Sequence, residues 1–137
     1  MSLLRPLDPA FPIERQLEID ATPVVLVNIF TLDKTDEQIF LKAWQDDAAF
    51  MKRQPGFIST QLHRAIGESP THLNYAVWQT TADFRVAFTH PEFRAKISAY
   101  PSSAVASPAP VPEGRGAGHL CRVARHASVW KGDRQWD

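Results

Sequence analysis

Hydrophobic positions recur with two distinct periods between residues 23 and 100, and the changes of period divide that stretch into elements. After Pro23, the run Val24-Val25-Leu26-Val27-Asn28-Ile29-Phe30 is rich in β-branched residues and apolar on both alternating faces. That is the pattern of a strand covered on both sides. Thr35 followed three residues later by Gln38 reads as a capping box. Phe40, Ala43/Trp44, Asp47/Ala48 and Met51 then follow at helical spacing, and Pro55-Gly56 ends the helix by about Gln54. Phe57 to Arg64 predicts a second strand, Gly67 to Pro70 a turn, and Leu73 to Trp78 a third strand. Thr80 with Asp83 caps a second helix through Phe84 and Phe88. His90 and Pro91, the latter favoured at a first helical position, restart it through Phe93, Ile97 and Tyr100.

Strand, helix, strand, strand, helix is most of a βαββαβ unit, so the expected class is α+β, a ferredoxin-like sandwich. Both helices fall on one side of such a sheet. The first strand is nevertheless apolar on its other face, and a second copy of the same sheet is the economical cover, so a homodimer is expected. Residues 1–22 carry Pro6, Pro9 and Pro12 without sustained periodicity and read as an extended N-terminal arm. Residues 23–100 carry the fold. Residues 101–137 read as a linker and an atypical tail, because 14 of the 18 residues from 101 to 118 are Pro, Ser, Ala or Gly and bury little apolar area.

Composition narrows the class of function. The chain has 137 residues, with 15 Lys+Arg against 15 Asp+Glu and a formal net charge of zero. That balance argues against a nucleic-acid binder or a polybasic membrane-surface protein. No apolar run approaches the roughly 20 residues of a membrane span. The single cysteine, Cys121, excludes an intrachain disulfide framework, and with no leader-like apolar stretch in residues 1–15 the expected compartment is the cytoplasm. His119, Cys121 and His126 lie close together, but no second cluster completes a zinc site, so no metal is expected. There is no dinucleotide or phosphate-loop signature.

The middle region resembles the antibiotic biosynthesis monooxygenase family. The resemblance lies in VNIF at 27–30, AW at 43–44, QPGFISTQLHR at 54–64 and LNYAVWQTTADF at 73–84, in that order and at that spacing. It implies a dimeric α+β barrel with a pocket between sheet and helices in each protomer. It also implies an oxygenase that needs no cofactor and acts on a small aromatic, phenolic or quinol-like compound. In such chemistry the deprotonated phenol itself passes an electron to oxygen, and the protein binds the rings, stabilises the phenolate and controls water. The alternative is a non-catalytic dimer that binds a small ligand or serves in stress.

Asn28, a lone amide in an apolar strand, must find partners, either neighbouring backbone or, as the resemblance implies, a substrate. Trp78 at the end of the third strand is either core packing beneath the second helix or, as the resemblance implies, a substrate-binding residue. Trp44 and Phe88 are core residues first and pocket wall second, as is Phe84. His63 could serve as a general base for a phenol, or lie at the surface or dimer seam. Tyr75 and Asn74 point to opposite faces of the third strand, so only one of them faces a given pocket; Tyr75 is the candidate for proton transfer beside His63. The haem-degrading branch of the family carries a histidine and a tryptophan where this chain has Ile97 and Ala87, so haem degradation is not expected. The family's closing fourth strand has two readings here: His119 to Trp130, or a shifted reading frame that turns APVPEGRGAGHLC into HLFQKVAVPGIC.

Overall fold

The structure, a computed structural model, describes residues 3–112. A single helical turn, α1 (Ile13–Gln16), precedes β1 (Val24–Thr31), and a 3-10 turn (Lys34–Asp36) leads into α2 (Glu37–Lys52). Then come β2 (Phe57–Arg64), β3 (His72–Trp78), α3 (Thr81–Phe88), α4 (Pro91–Ile97) and β4 (Val105–Pro112). The four strands form one antiparallel sheet in the order β2-β3-β1-β4. This is the expected α+β arrangement. Leu26, Ala76 and Trp78 of the sheet share a core with Phe50, Phe84, Phe88 and Phe93 of the helices. A second core, around Phe30, Phe40 and Tyr100, fills the other end.

Two local expectations hold in detail. Thr80 Oγ1 accepts from the Asp83 backbone N–H at 3.0 Å and caps α3. His90 Nδ1 accepts from the Glu92 N–H at 3.0 Å, with Pro91 opening α4. The capping box of Thr35 and Gln38 does not form. α2 is entered through the 3-10 turn without a side-chain cap, and the Asp36 carboxylate instead accepts from Ser103 Oγ at 2.7 Å.

The N-terminal arm is more than an extended strap. Ile13 and Leu17 are buried in the core beside Phe84 and Phe88. Further upstream, Arg5 N–H donates to the Ala106 carbonyl at 2.8 Å and Ala106 N–H to the Leu3 carbonyl at 2.7 Å, so the arm lies along β4.

The largest departure from the sequence reading is β4, which occupies Val105–Pro112, within the stretch read as linker. Prolines exclude a segment from a sheet only where their missing donor is needed. Consecutive residues of a strand send their N–H groups to opposite sides. Ala106 uses both backbone groups on the arm, away from β1, so Pro108, Pro110 and Pro112 turn their donorless nitrogens the same way. The intervening residues keep their N–H groups for β1. The sheet therefore closes on residues 105–112 as they stand, with Ala104, Ala106 and Pro108 buried beneath the helices. The tail alternatives are not needed for a fourth strand; His119 to Trp130, the His119/Cys121/His126 group and Gly114, Gly116 and Gly118 lie outside the described residues.

Between α2 and β2, Gly56 adopts φ +86°, and a Cβ there would sit 2.3 Å from the Asp83 carboxyl in the first turn of α3. Gly56→Ala is therefore expected to destabilise the protein by about 1–2 kcal/mol from the left-handed backbone alone. The displacement of Asp83 adds to that. A urea melt should show a lowered midpoint, and an unchanged midpoint would refute this account of the turn.

Candidate active site

Between the sheet and the helices lies a cavity of about 70 Å³. Its floor is the inward face of the strands: Asn28 from β1, Asn74 and Trp78 from β3, Thr60 from β2 and Pro108 from β4. Its roof is Trp44, Asp47 and Met51 from α2, with Phe88, Phe93 and Ile97 from the later helices. Leu3 and Leu4 of the arm complete the wall.

Four of the residues singled out in the sequence meet here. Asn28, Trp78, Trp44 and Phe88 all line the cavity. Trp78 is 1% exposed and packs edge-on to Phe57 at 5.4 Å and against Phe84 at 5.4 Å, so it is at once core and cavity wall. Asn28 pairs directly with Asn74 in the register of β1 and β3, which places two amides side by side on the floor. Asn74 Oδ1 accepts from Thr60 Oγ1 at 2.6 Å. Asn28 Oδ1 is buried and has no hydrogen-bond partner among the described residues. A buried acceptor left unpaired costs about 1–3 kcal/mol of folding free energy.

His63 and Tyr75 do not join them. The strand parity of β3 puts Asn74 inward and Tyr75, 43% exposed, on the opposite face of the sheet. His63 is exposed and pairs with Leu73, on that same outer face. The reason is a bulge in β2. The register shifts between Phe57 and Ser59, so Phe57 stands opposite Trp78 while Thr60 stands opposite Ala76. The extra residue reverses the parity, bringing Thr60 inward and turning His63 out.

Two ionisable side chains do line the cavity, Asp47 of α2 and Tyr100 just after α4. The Tyr100 hydroxyl donates to Asp47 Oδ2 at 2.8 Å. Burial pushes the Asp47 carboxyl up to about 6, opposed by the Tyr100 hydrogen bond and the positive charge of Lys96. Burial raises the Tyr100 phenol far above its ordinary value, and the adjoining carboxylate raises it further. Asp47 had a signal in the sequence: it is an acid on the apolar stripe of an amphipathic helix. Thr60 had none, since the bulge that aims it inward has no marker in FISTQLHR. Among the described residues, no group of three His, Cys, Asp or Glu side chains is placed to hold a metal ion. No helix among them is long and apolar enough to cross a membrane.

Comparisons with known proteins agree with this architecture. Over 75 residues the chain is 36% identical to deoxynogalonate monooxygenase of Streptomyces nogalater, an alignment covering 55% of this chain and 63% of that relative's length. The crystal structure of SnoaB, a cofactor-independent oxygenase from Streptomyces nogalater, superposes with a TM-score of 0.62 at 30% identity, covering 66% of this chain and 92% of that one. A structure from Shewanella loihica matches with a TM-score of 0.57 at 31% identity, covering 68% of this chain and 94% of the other. The family described as antibiotic biosynthesis monooxygenase matches residues 23–98. A sheet roofed by helices, a cavity walled by aromatics and this match over residues 23–98 agree: the chain belongs to the antibiotic biosynthesis monooxygenase family.

Proposed function

We propose that the protein is a cofactor-independent oxygenase that converts a ring methylene, activated by a neighbouring phenol, into a ketone. The observation that carries this reading is Asn28 Oδ1, buried without a partner among the described residues, beside Asn74 on the floor of an aromatic cavity. A buried acceptor held in place on the floor of the cavity is ready to bind a ligand's polar atom. The two amides can also donate N–H groups to a phenolate oxygen as negative charge develops there. The similarity to deoxynogalonate monooxygenase and to the oxygenase SnoaB supports the same class of reaction.

The chemistry balances without any further redox partner. Loss of a proton gives an electron-rich phenolate or enolate, which passes an electron to dioxygen. Recombination of the two radicals forms a C–O bond, and the peroxide takes back a proton. Loss of water breaks the O–O bond and leaves the carbonyl, so CH2 plus O2 becomes C=O plus H2O. Carbon gives up four electrons and the two oxygen atoms receive them. Asn28 and Asn74 hold the oxyanion, and Trp78, Trp44 and Phe88 hold the rings.

Substrate size requires movement. A cavity of about 70 Å³ is smaller than the roughly 150 Å³ that accommodates benzene. Leu3 and Leu4 belong to the N-terminal arm and lie outside the named strands and helices, so withdrawal of the arm opens the site. The outward face of the sheet carries half-buried Val27, Ile29 and Leu73 together with Tyr75, and a second copy of the chain covers it as a homodimer.

An oxygen electrode tests the reading. Protein dialysed against chelator and free of flavin should consume one O2 per molecule of 1,8-dihydroxyanthrone converted to the quinone, well above the rate with heat-denatured protein. Equal rates with native and denatured protein, across this anthrone and a set of hydroquinones, would overturn the oxygenase reading in favour of a binding protein.

A further inference from the structure

An oxygenase of this kind needs a proton acceptor. The two side chains that chemistry alone suggested, His63 and Tyr75, face away from the cavity. We infer that Asp47, held by Tyr100 in the helical roof opposite Asn28 and Asn74, takes the phenolic proton of the substrate. The inference rests on the oxygenase reading for its chemistry and on geometry for its choice of residue. Asp47 is the sole carboxylate among the residues lining the cavity, and Tyr100 is the other ionisable group there. Tyr100 occupies Oδ2, and Oδ1 has no hydrogen bond among the described residues. The Tyr100 ring is in turn stacked on Phe30 at 6.0 Å and packed against Phe40 at 5.7 Å, so the carboxylate is held by a core residue rather than a loop.

The step is a simple transfer: the substrate O–H bond breaks, its proton goes to Asp47, and the electron pair stays on the phenolate oxygen between the amides. The neutral acid that results can return the proton to the peroxide later in the cycle.

On α2 itself the neighbouring charge, Asp46, is paired with Lys42 at 2.9 Å. Lys96 of α4 is the cation that acts on Asp47. Elsewhere on α4, Glu92 pairs with Arg53, and Arg94 lies over the Phe88 ring at 4.9 Å. The floor residues Asn28, Asn74 and Thr60 do not titrate. Lys34 and Asp36 in the 3-10 turn lie about three turns of α2 away, with Asp36 bound to Ser103. An acceptor with a carboxyl near 6 is ionised at neutral pH and still basic enough to take a proton.

The test uses the full chain and 2-naphthol, a phenol that stays neutral between pH 5 and pH 7.5, titrated by calorimetry beside its methyl ether. Lowering the pH protonates Asp47 and removes the charged acceptor. Affinity for 2-naphthol should therefore fall about tenfold from pH 7.5 to pH 5, while the methyl ether, with no proton to give, should bind alike throughout. Asp47→Asn keeps an acceptor for Tyr100 and should remove the pH dependence; it should also slow turnover of 1,8-dihydroxyanthrone by roughly 10²–10⁴-fold. Tyr100→Phe keeps the ring packing but loses the hydroxyl that favours the charged carboxylate, so the midpoint should move to higher pH. A merely structural Asp47–Tyr100 link would not move that midpoint. Persistence of the pH dependence in Asp47→Asn, or absence of 2-naphthol binding at pH 7.5, overturns the role of Asp47 whatever the oxygen electrode reads. A wild type that shows the pH dependence but consumes no oxygen overturns the oxygenase reading and leaves the phenol-accepting carboxylate standing.

Discussion

Asn28→Ala is expected to lower oxygen consumption about 10²–10³-fold, the effect typical of removing one preorganised donor from an oxyanion site. The same substitution should leave the protein as stable as the wild type, or more so. Those opposite signs distinguish a binding residue from a packing residue. Asn28 Oδ1 is buried without a partner among the described residues, so alanine removes an unsatisfied group as well as the amide. Were the amide simply a strut of the sheet, its loss would lower the melting temperature and leave turnover largely intact. Oxygen-electrode rates and a thermal melt on the same preparation decide between the two. Asn74→Ala should lower turnover in the same way but also destabilise slightly, because its oxygen accepts from Thr60 and that hydroxyl would lose its partner.

Phe40→Ala should be the most destabilising of the substitutions considered, by about 3–5 kcal/mol. Phe40 has no exposed surface and touches three rings: Phe30 edge-on at 4.9 Å, His72 at 4.9 Å and Tyr100 at 5.7 Å. Truncation leaves a void among aromatic neighbours that cannot collapse without moving α2 from the sheet. Such a loss is a large fraction of the roughly 5–15 kcal/mol that holds a domain folded. Urea denaturation should show a much lower midpoint with the slope preserved. A loss below about 1 kcal/mol would mean that the end of the sheet beneath α2 repacks freely. Through Tyr100 the same change also loosens the seat of Asp47.

The fold was legible wherever a segment's own pattern matched its place in the tertiary structure. VVLVNIF reads as a strand because burial on both faces leaves no polar alternation to confuse it. Thr80 and His90 read as helix starts because a cap is a local bond. The failures share a different origin, since each depends on a partner distant in sequence. Thr35 and Gln38 satisfy the capping pattern, yet Ser103 engages Asp36 instead. Val105–Pro112 reads as linker because the direction of each missing N–H follows from pairing with β1 and the arm, not from VASPAPVP itself. The site divides the same way. Asn28 and Trp78 were visible as unusual residues in ordinary strands. Thr60 and His63 exchanged faces through a bulge without sequence signature, and Asp47 stood in view on a helical stripe counted for its hydrophobicity.

The three prolines of β4 also bear on what the protein does in a crowded solution. An edge strand with free N–H groups is a template on which a stray extended chain can build, and natural sheets defend such edges with charge, bulges or proline. Beyond Ala106, every outward-facing nitrogen of β4 belongs to a proline, so an incoming strand finds carbonyls but no donors. At Ala106 itself the arm already occupies both groups. Templated addition of a further strand on this edge of the sheet is thus disfavoured. A segment that lowers the apparent order of the sequence is, in three dimensions, its insulation against runaway assembly.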